Sequence, residues 1–205
     1  MKVLRSAIVL VGGEARRAGG MEKYFFEYDG RTFIEMLLST LHGVVDEIIV
    51  VAKDIEQCER FSAIPGITCV SDIRRGIGPI GGLHAGVLQA RGEYVFVAAC
   101  DMPCINRGVI EYLFSQVDGY DAAIPSWTDD RLEPLHAVYR SEALRAYLEE
   151  HESLSLREMV RTLNARYVDV ESLRAFDPDL QTFININIID ELKRMDRTQK
   201  GQSRS

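Results

Sequence analysis

Positive charge is the scarce component of this chain. Its 205 residues hold 24 lysines and arginines against 31 aspartates and glutamates, for a formal net charge of −7. A protein that tracks a phosphate backbone normally presents a basic face, so the balance argues against general nucleic-acid binding. One triphosphate can still be held if a few cations and a metal converge locally. Long apolar runs are missing too. No stretch approaches the roughly 18 consecutive apolar residues of a membrane-spanning helix. The first residues, Met1-Lys2-Val3-Leu4-Arg5, lead straight into a strand-like run and lack the pattern of a secretory leader. No membrane association is expected, and the expected location is cytoplasmic. Cysteine is sparse as well: of Cys58, Cys69, Cys100 and Cys104 only the last two are close in sequence. A C-x3-C pair without a second pair is a weak zinc template, so free thiols packing as small hydrophobes are expected.

What is present is a regular alternation of apolar runs and amphipathic stretches. Residues 6–11, 47–52, 67–70 and 94–99 read as strands, because unbroken hydrophobicity suits strands covered on both faces. Residues 32–42, 80–90 and 107–116 have helical spacing, the second opening at Pro79. This β-α-β-α order predicts a Rossmann-like, doubly wound α/β fold: a mostly parallel sheet with helices on both faces, in three αβα layers. Beyond residue 120 the rhythm loosens. Strands are expected at 121–125 and 167–170, with one at 135–139 that could run parallel or antiparallel in the same sheet. Helices are expected at 141–149, 153–163 and 190–195. Residues 1–196 are expected to form a single domain, followed by a disordered polar tail at 197–205.

Four segments carry candidate chemistry. The first strand runs into Gly12-Gly13-Glu14-Ala15-Arg16-Arg17-Ala18-Gly19-Gly20, with Lys23 close behind. Glycines let backbone N–H groups approach phosphate oxygens, and the cations would neutralise a leaving pyrophosphate. The plainer alternative is a flexible loop with solvated arginines. Neither G-x-G-x-x-G nor the P-loop pattern fits here. Asp101 stands at the carboxyl end of the fourth predicted strand, where open α/β sheets place ligands and where a carboxylate can hold Mg²⁺. It could equally cap the helix that starts near residue 106 or fix the turn at Pro103. Residues 72–82 form a glycine-rich approach to a helix, with Asp72 able to accept from a base or sugar. Asn185 and Asn187, two apart on an extended segment, would face the same side; Asn187 also suits a helix cap.

Taken in order, these segments resemble the molybdenum cofactor guanylyltransferase family over nearly the whole chain, to about residue 195. The family's L-A-G-G-x-x-x-R-M-G-G-x-x-K opening corresponds to residues 10–23, and its D-x-x-P-G-x-G-P-L-x-G segment to residues 72–82. Its C-D-M/T-P loop is Cys100-Asp101-Met102-Pro103, and P-L-x-A-L/V-Y is Pro134 to Tyr139. The family's F-x-N-x-N-T-P-E-E-L begins at Phe183 and departs after Asn187. The resemblance implies nucleotide contacts from Leu10, Val11, Gly12, Gly13, Lys23, Asp72 and Asp101, with Asp101 also on Mg²⁺. Arg17, Lys23 and Asp101 are the implied catalytic residues, and Arg74, Asn185 and Asn187 the implied pterin-side ones. Val11 and Ala18 replace the usual Ala and Met, and Val51 replaces an expected nucleotide-contacting Asn. The implied reaction transfers GMP from GTP to the terminal phosphate of molybdopterin cofactor and releases pyrophosphate. Proteins that donate or accept the cofactor are further candidate partners. CTP-dependent transfer to molybdopterin or to a methylerythritol phosphate, guanylyl transfer to phospholactate, and a non-catalytic nucleotide-binding subunit remain as alternatives.

Overall fold

A computed structural model describes residues 3–12, 23–28, 30–72, 78–128, 131–152 and 155–185. The apolar runs become β1 (Arg5–Leu10), β4 (Glu47–Ala52), β5 (Ile67–Ser71) and β6 (Tyr94–Ala99). With β7 (Ala122–Ser126), β8 (His136–Arg140) and β9 (Ala165–Asp169) they form a seven-stranded sheet in the order β5-β4-β1-β6-β8-β7-β9. The pairs β1–β4, β4–β5, β1–β6 and β7–β9 are parallel. β8 runs against both neighbours, one of the two directions left open for residues 135–139. A short hairpin of β2 (Glu27–Tyr28) and β3 (Arg31–Thr32) stands apart from this sheet.

Alternate residues of β1 enter different cores. Ala7 and Val9 face α1 (Phe33–Leu41) and α4 (Arg107–Gln116), where Leu37, Leu41, Ile110 and Leu113 are fully covered. Ile8 and Leu10 face the opposite layer, built from α3 (Pro79–Gln89), α5 (Ser141–Glu150) and α6 (Leu156–Thr162). This is the expected three-layer α/β arrangement. Side chains alternate across a strand, so a strand covered on both faces must be apolar throughout. α3 lies very close to the sheet: a Cβ on Gly86 would sit 2.8 Å from Ile8 Cγ2, and one on Gly82 would sit 3.0 Å from Leu10 Cδ2.

Helix boundaries follow local chemistry. Thr32 and Glu35 form a reciprocal capping box on α1, and Asn106 and Ser155 cap α4 and α6. The helix expected at 153–163 is narrower, because capping by Ser155 starts it at Leu156; residues 153–154 lie outside the described set. Short elements were not anticipated, among them the β2–β3 hairpin, α2 (Ile55–Glu59), a five-residue helix capped by Asp54, and the 3-10 helix Val170–Ala175. Cys58 of α2 and Cys69 of β5 form a disulfide with a Cα–Cα distance of 5.7 Å. The expectation of four free thiols therefore fails for this pair. An 11-residue separation gives no hint of it, since only the docking of α2 on β5 brings the two side chains within bonding reach. Cys100 and Cys104 keep their thiols outside any disulfide, as expected.

Candidate active site

The parallel strands leave a crevice where the chain changes direction. From β1 it winds outward through β4 to β5, then returns across β1 to β6 on the other side. Ligands of open α/β sheets bind at the carboxyl ends of strands at this switch point. Leu10 pairs with Ala99 there, so the loops after β1 and β6 leave side by side. The Cys100 N–H donates to the Leu10 carbonyl at 3.1 Å, holding the two loops together at their roots. On the other side, the Val11 and Gly12 N–H groups reach the Val51 carbonyl at 3.0 and 3.3 Å. A side chain at residue 12 would meet Lys53 N at 3.1 Å, which gives this glycine a steric reason. Leu10 and Val11 are 8% and 3% exposed, so any ligand contact from them is made by backbone; Gly12 is open to solvent. Asp72 follows β5 two strands outward, half-buried, its N–H on the Ala52 carbonyl at 2.8 Å.

Asp101 turns the chain out of β6. The cap of α4 is Asn106, whose Oδ1 accepts from Gly108 and Val109 N–H at 2.8 and 3.2 Å. The alternative of Asp101 as a helix cap is thereby removed. Its Oδ2 instead accepts from Asn185 Nδ2 at 2.9 Å, across a sequence separation of 84 residues. Two of the four candidate segments thus meet side chain to side chain at the mouth of the crevice. A half-buried carboxylate that accepts from an amide suits a hard cation. Among the described residues no group of three or more His, Cys, Asp or Glu could hold a metal unaided. Mg²⁺ fits such a sparse donor set, since it usually takes one or two carboxylates, substrate phosphate oxygens and water.

Known proteins share both this fold and this sequence. The model of the MobA-like NTP transferase domain matches residues 7–169. The chain belongs to this family. A probable molybdenum cofactor guanylyltransferase of Methanosarcina acetivorans is 40% identical over 202 residues, covering 93% of this chain and 89% of that protein. The molybdenum cofactor guanylyltransferase of Desulfosudis oleivorans is 34% identical over 200 residues, covering 96% of each. Among solved structures, molybdopterin-guanine dinucleotide biosynthesis protein A of Archaeoglobus fulgidus superposes with a TM-score of 0.79 at 33% identity, covering 96% of this chain and 99% of that one.

For a MobA-like transferase, several expected site positions lie outside the described residues: Gly13, Arg16, Arg17, Arg74 and Asn187, with the predicted 190–195 helix and the tail. Lys23 opens a 3-10 helix, Lys23–Phe25, at the return of that loop, and its side chain is likewise outside. Val51 is 2% exposed in the interior of β4, so its side chain has no route to a ligand.

Two features of the site were not anticipated. His136, at the start of β8, is fully buried with its Nε2 at 3.1 Å from Thr182 Oγ1, and burial holds its pKa down at about 3. A histidine inside the otherwise apolar run 135–139 was the available signal. Trp127, the one tryptophan of the chain, follows β7, with Arg131 over its face at 4.3 Å and Phe183 edge-on at 5.7 Å. Its Nε1–H donates to Glu133 at 2.7 Å. Burial raises the pKa of that carboxyl, and the Trp127 bond and Arg131 offset part of the effect.

Proposed function

We infer that the chain transfers GMP from GTP to the terminal phosphate of molybdopterin cofactor, releasing pyrophosphate. The observation that carries this reading is the Asn185–Asp101 hydrogen bond at the crevice, because it brings two candidate segments 84 residues apart to one site. Relatives named as molybdenum cofactor guanylyltransferases, similar across more than nine tenths of the chain, support the choice of guanine and of molybdopterin. In the reaction an acceptor phosphate oxygen bonds to the α-phosphorus of GTP, and the bond from that phosphorus to the bridging oxygen of the β-phosphate breaks. A phosphate oxygen is already a competent nucleophile at neutral pH, so alignment and charge neutralisation carry the rate.

In this reading the glycine-rich loop from Gly12 and Gly13 cradles the triphosphate, while Arg17 and Lys23 neutralise the departing pyrophosphate. Backbone groups of Leu10 and Val11 and the Asp72 carboxylate contact the nucleoside. Asp101 holds Mg²⁺, which would supply charge stabilisation at the α-phosphate. Asn185 orients that carboxylate, and Asn187 faces the acceptor. Both substrates suit a cytoplasmic protein, and proteins that deliver or receive the cofactor are the natural partners of a reactive pterin.

The test is Mg²⁺-dependent pyrophosphate release from GTP in the presence of molybdopterin, with CTP, ATP and UTP in parallel. Release with CTP but not GTP would overturn the guanylyl assignment and keep the transferase class; no release with any nucleotide would overturn both. Lys23→Ala should lower turnover by a factor on the order of 10²–10³ in a folded protein, the range for losing a group that stabilises transition-state charge. Turnover within about threefold of wild type would remove Lys23 from the mechanism, since such a ratio is under 1 kcal/mol.

A further inference from the structure

Seven polar or charged side chains are buried among the described residues, and three of them, His136, Asp177 and Thr182, meet in one network. Concentrating polar groups away from water is costly unless each finds a partner. Here the partners belong to the segments that build the active site. His136 lies in register with Ala98, near the end of the strand that leads to Asp101. Its ring packs edge-on against Phe96 and Phe183, at centroid distances of 5.1 and 5.0 Å. Its Nε2 meets Thr182 Oγ1 at 3.1 Å. The same oxygen accepts the Asn106 N–H at 3.1 Å, from the loop that leaves β6 through Asp101. The Thr182 N–H donates to the Asp177 carboxylate at 2.8 Å. Three residues beyond Thr182, Asn185 reaches Asp101.

Thr182 Oγ1 accepts from Asn106 and keeps its hydrogen and a second lone pair, so with the neutral imidazole it donates to Nε2 or accepts from Nε2–H according to the tautomer. In both tautomers Nδ1 meets no partner among the described residues, and a buried polar atom without one lowers stability. Phenylalanine or leucine would fill this place in the core without that penalty, and what histidine adds is a hydrogen-bonding nitrogen at Thr182. The ring is 0% exposed, so it touches neither nucleotide nor acceptor.

We propose that His136 is a positioning residue for the transfer reaction: through Thr182 it fixes segment 177–185 to the loop bearing Asp101, and so sets the Asn185–Asp101 contact. The proposal rests on the guanylyl-transfer reading for its kinetic part alone. Full-length His136→Phe keeps the aromatic packing and removes the hydrogen-bonding nitrogen; Thr182→Val is nearly isosteric and removes the hydroxyl; His136→Gln returns a polar atom near the position of Nε2.

Amide hydrogen exchange over residues 181–185, without ligand, should speed up about tenfold in His136→Phe and in Thr182→Val, as expected for one lost buried hydrogen bond. Under saturating Mg²⁺ both should lose about tenfold in kcat while KM for GTP stays within about twofold, since the loss falls on alignment of a bound substrate. His136→Gln should recover most of kcat, and the His136→Phe/Thr182→Val double variant should be no worse than either single one. Wild-type exchange and kcat in folded variants would overturn the proposal. So would equal losses in the Phe and Gln variants, which would mean that packing alone is at stake. If His136→Phe does not fold, Thr182→Val carries the same test. If wild-type protein transfers no GMP, the functional reading falls, and exchange alone then decides the positioning role: faster exchange supports it, unchanged exchange overturns it.

Discussion

Replacing Asp101 with asparagine changes one atom type and hardly any volume, so it isolates charge from shape. The variant keeps an oxygen able to accept from Asn185, whose amide now lies 2.9 Å from Oδ2, and loses the negative charge that a cation needs. We expect Asp101→Asn to melt with the wild type and to lose at least about 10²-fold in pyrophosphate release, the scale of removing one electrostatic stabiliser. A second residue tests stability. Burial pushes the Glu47 carboxyl upward, yet bonds from the Ser6 hydroxyl at 2.5 Å and from the Arg91 backbone and guanidinium at 2.5 and 2.9 Å hold its pKa below the ordinary value. A group with a depressed folded pKa stabilises above its unfolded pKa and stops doing so as pH falls through the folded one. Wild type should therefore exceed Glu47→Gln by about 1–3 kcal/mol in urea unfolding at pH 7, the usual worth of hydrogen bonds to a charged group. The gap should narrow steadily below the normal carboxylate range. A gap that stays constant down to acid unfolding would contradict this account.

The elements differ in how much of their cause is local. β1, β4, β5 and β6 were readable within a residue or two, because a strand covered on both faces must be apolar at every position. The strand at β8 was readable too, but its direction was left open, because direction is set by pairing with β6 and β7. α2 was not: it has five residues, of which only Gln57 is buried, so no periodicity can announce it. β2 and β3 are two residues each and escape for the same reason. Residues 165–166 of β9 were missed because Ala165 and Arg166 carry no apolar signal, and their strand character comes from pairing with Ala122 and Ala123. The site shows the same division. Asp101 and Asn185 were recognisable one at a time, but their contact depends on the return of segment 177–185, a long-range event. Asn106, not Asp101, proved to be the cap. α3 offers an element-scale test. Its glycines let the helix sit against β1, and Gly86→Ala would place a methyl 2.8 Å from Ile8 Cγ2, a branched side chain in a full core. We expect that substitution to destabilise by about 1–3 kcal/mol in denaturant melts, the range for overpacking, despite the better helix propensity of alanine. A gain in stability would show that the α3–β1 spacing has slack.

At the scale of the molecule, net charge and site charge point in opposite directions. The chain is acidic, at −7, and its ligand in the proposed reaction is a polyanion. Affinity must then come from local groups: the glycine-rich segment after β1, its cations up to Lys23, and the metal that Asp101 would hold. GTP without Mg²⁺ would bring its full negative charge to Asp101, whereas Mg-GTP would bring a cation between that charge and the carboxylate. Binding should therefore be strongly metal-dependent, and the melting temperature reports it, since a ligand that binds only the folded state stabilises it by mass action. At about 100 times its dissociation constant a ligand adds roughly 2.7 kcal/mol. For a chain of this length that corresponds to a rise of roughly 5–10 °C. We expect Mg-GTP to give such a shift, GTP with a chelator to give far less, and Asp101→Asn to remove the difference between the two. The Asp101→Asn arm ties the metal effect to one carboxylate: if that variant keeps the full Mg²⁺-dependent increment, the cation is held elsewhere and Asp101 serves the fold of its loop rather than the nucleotide.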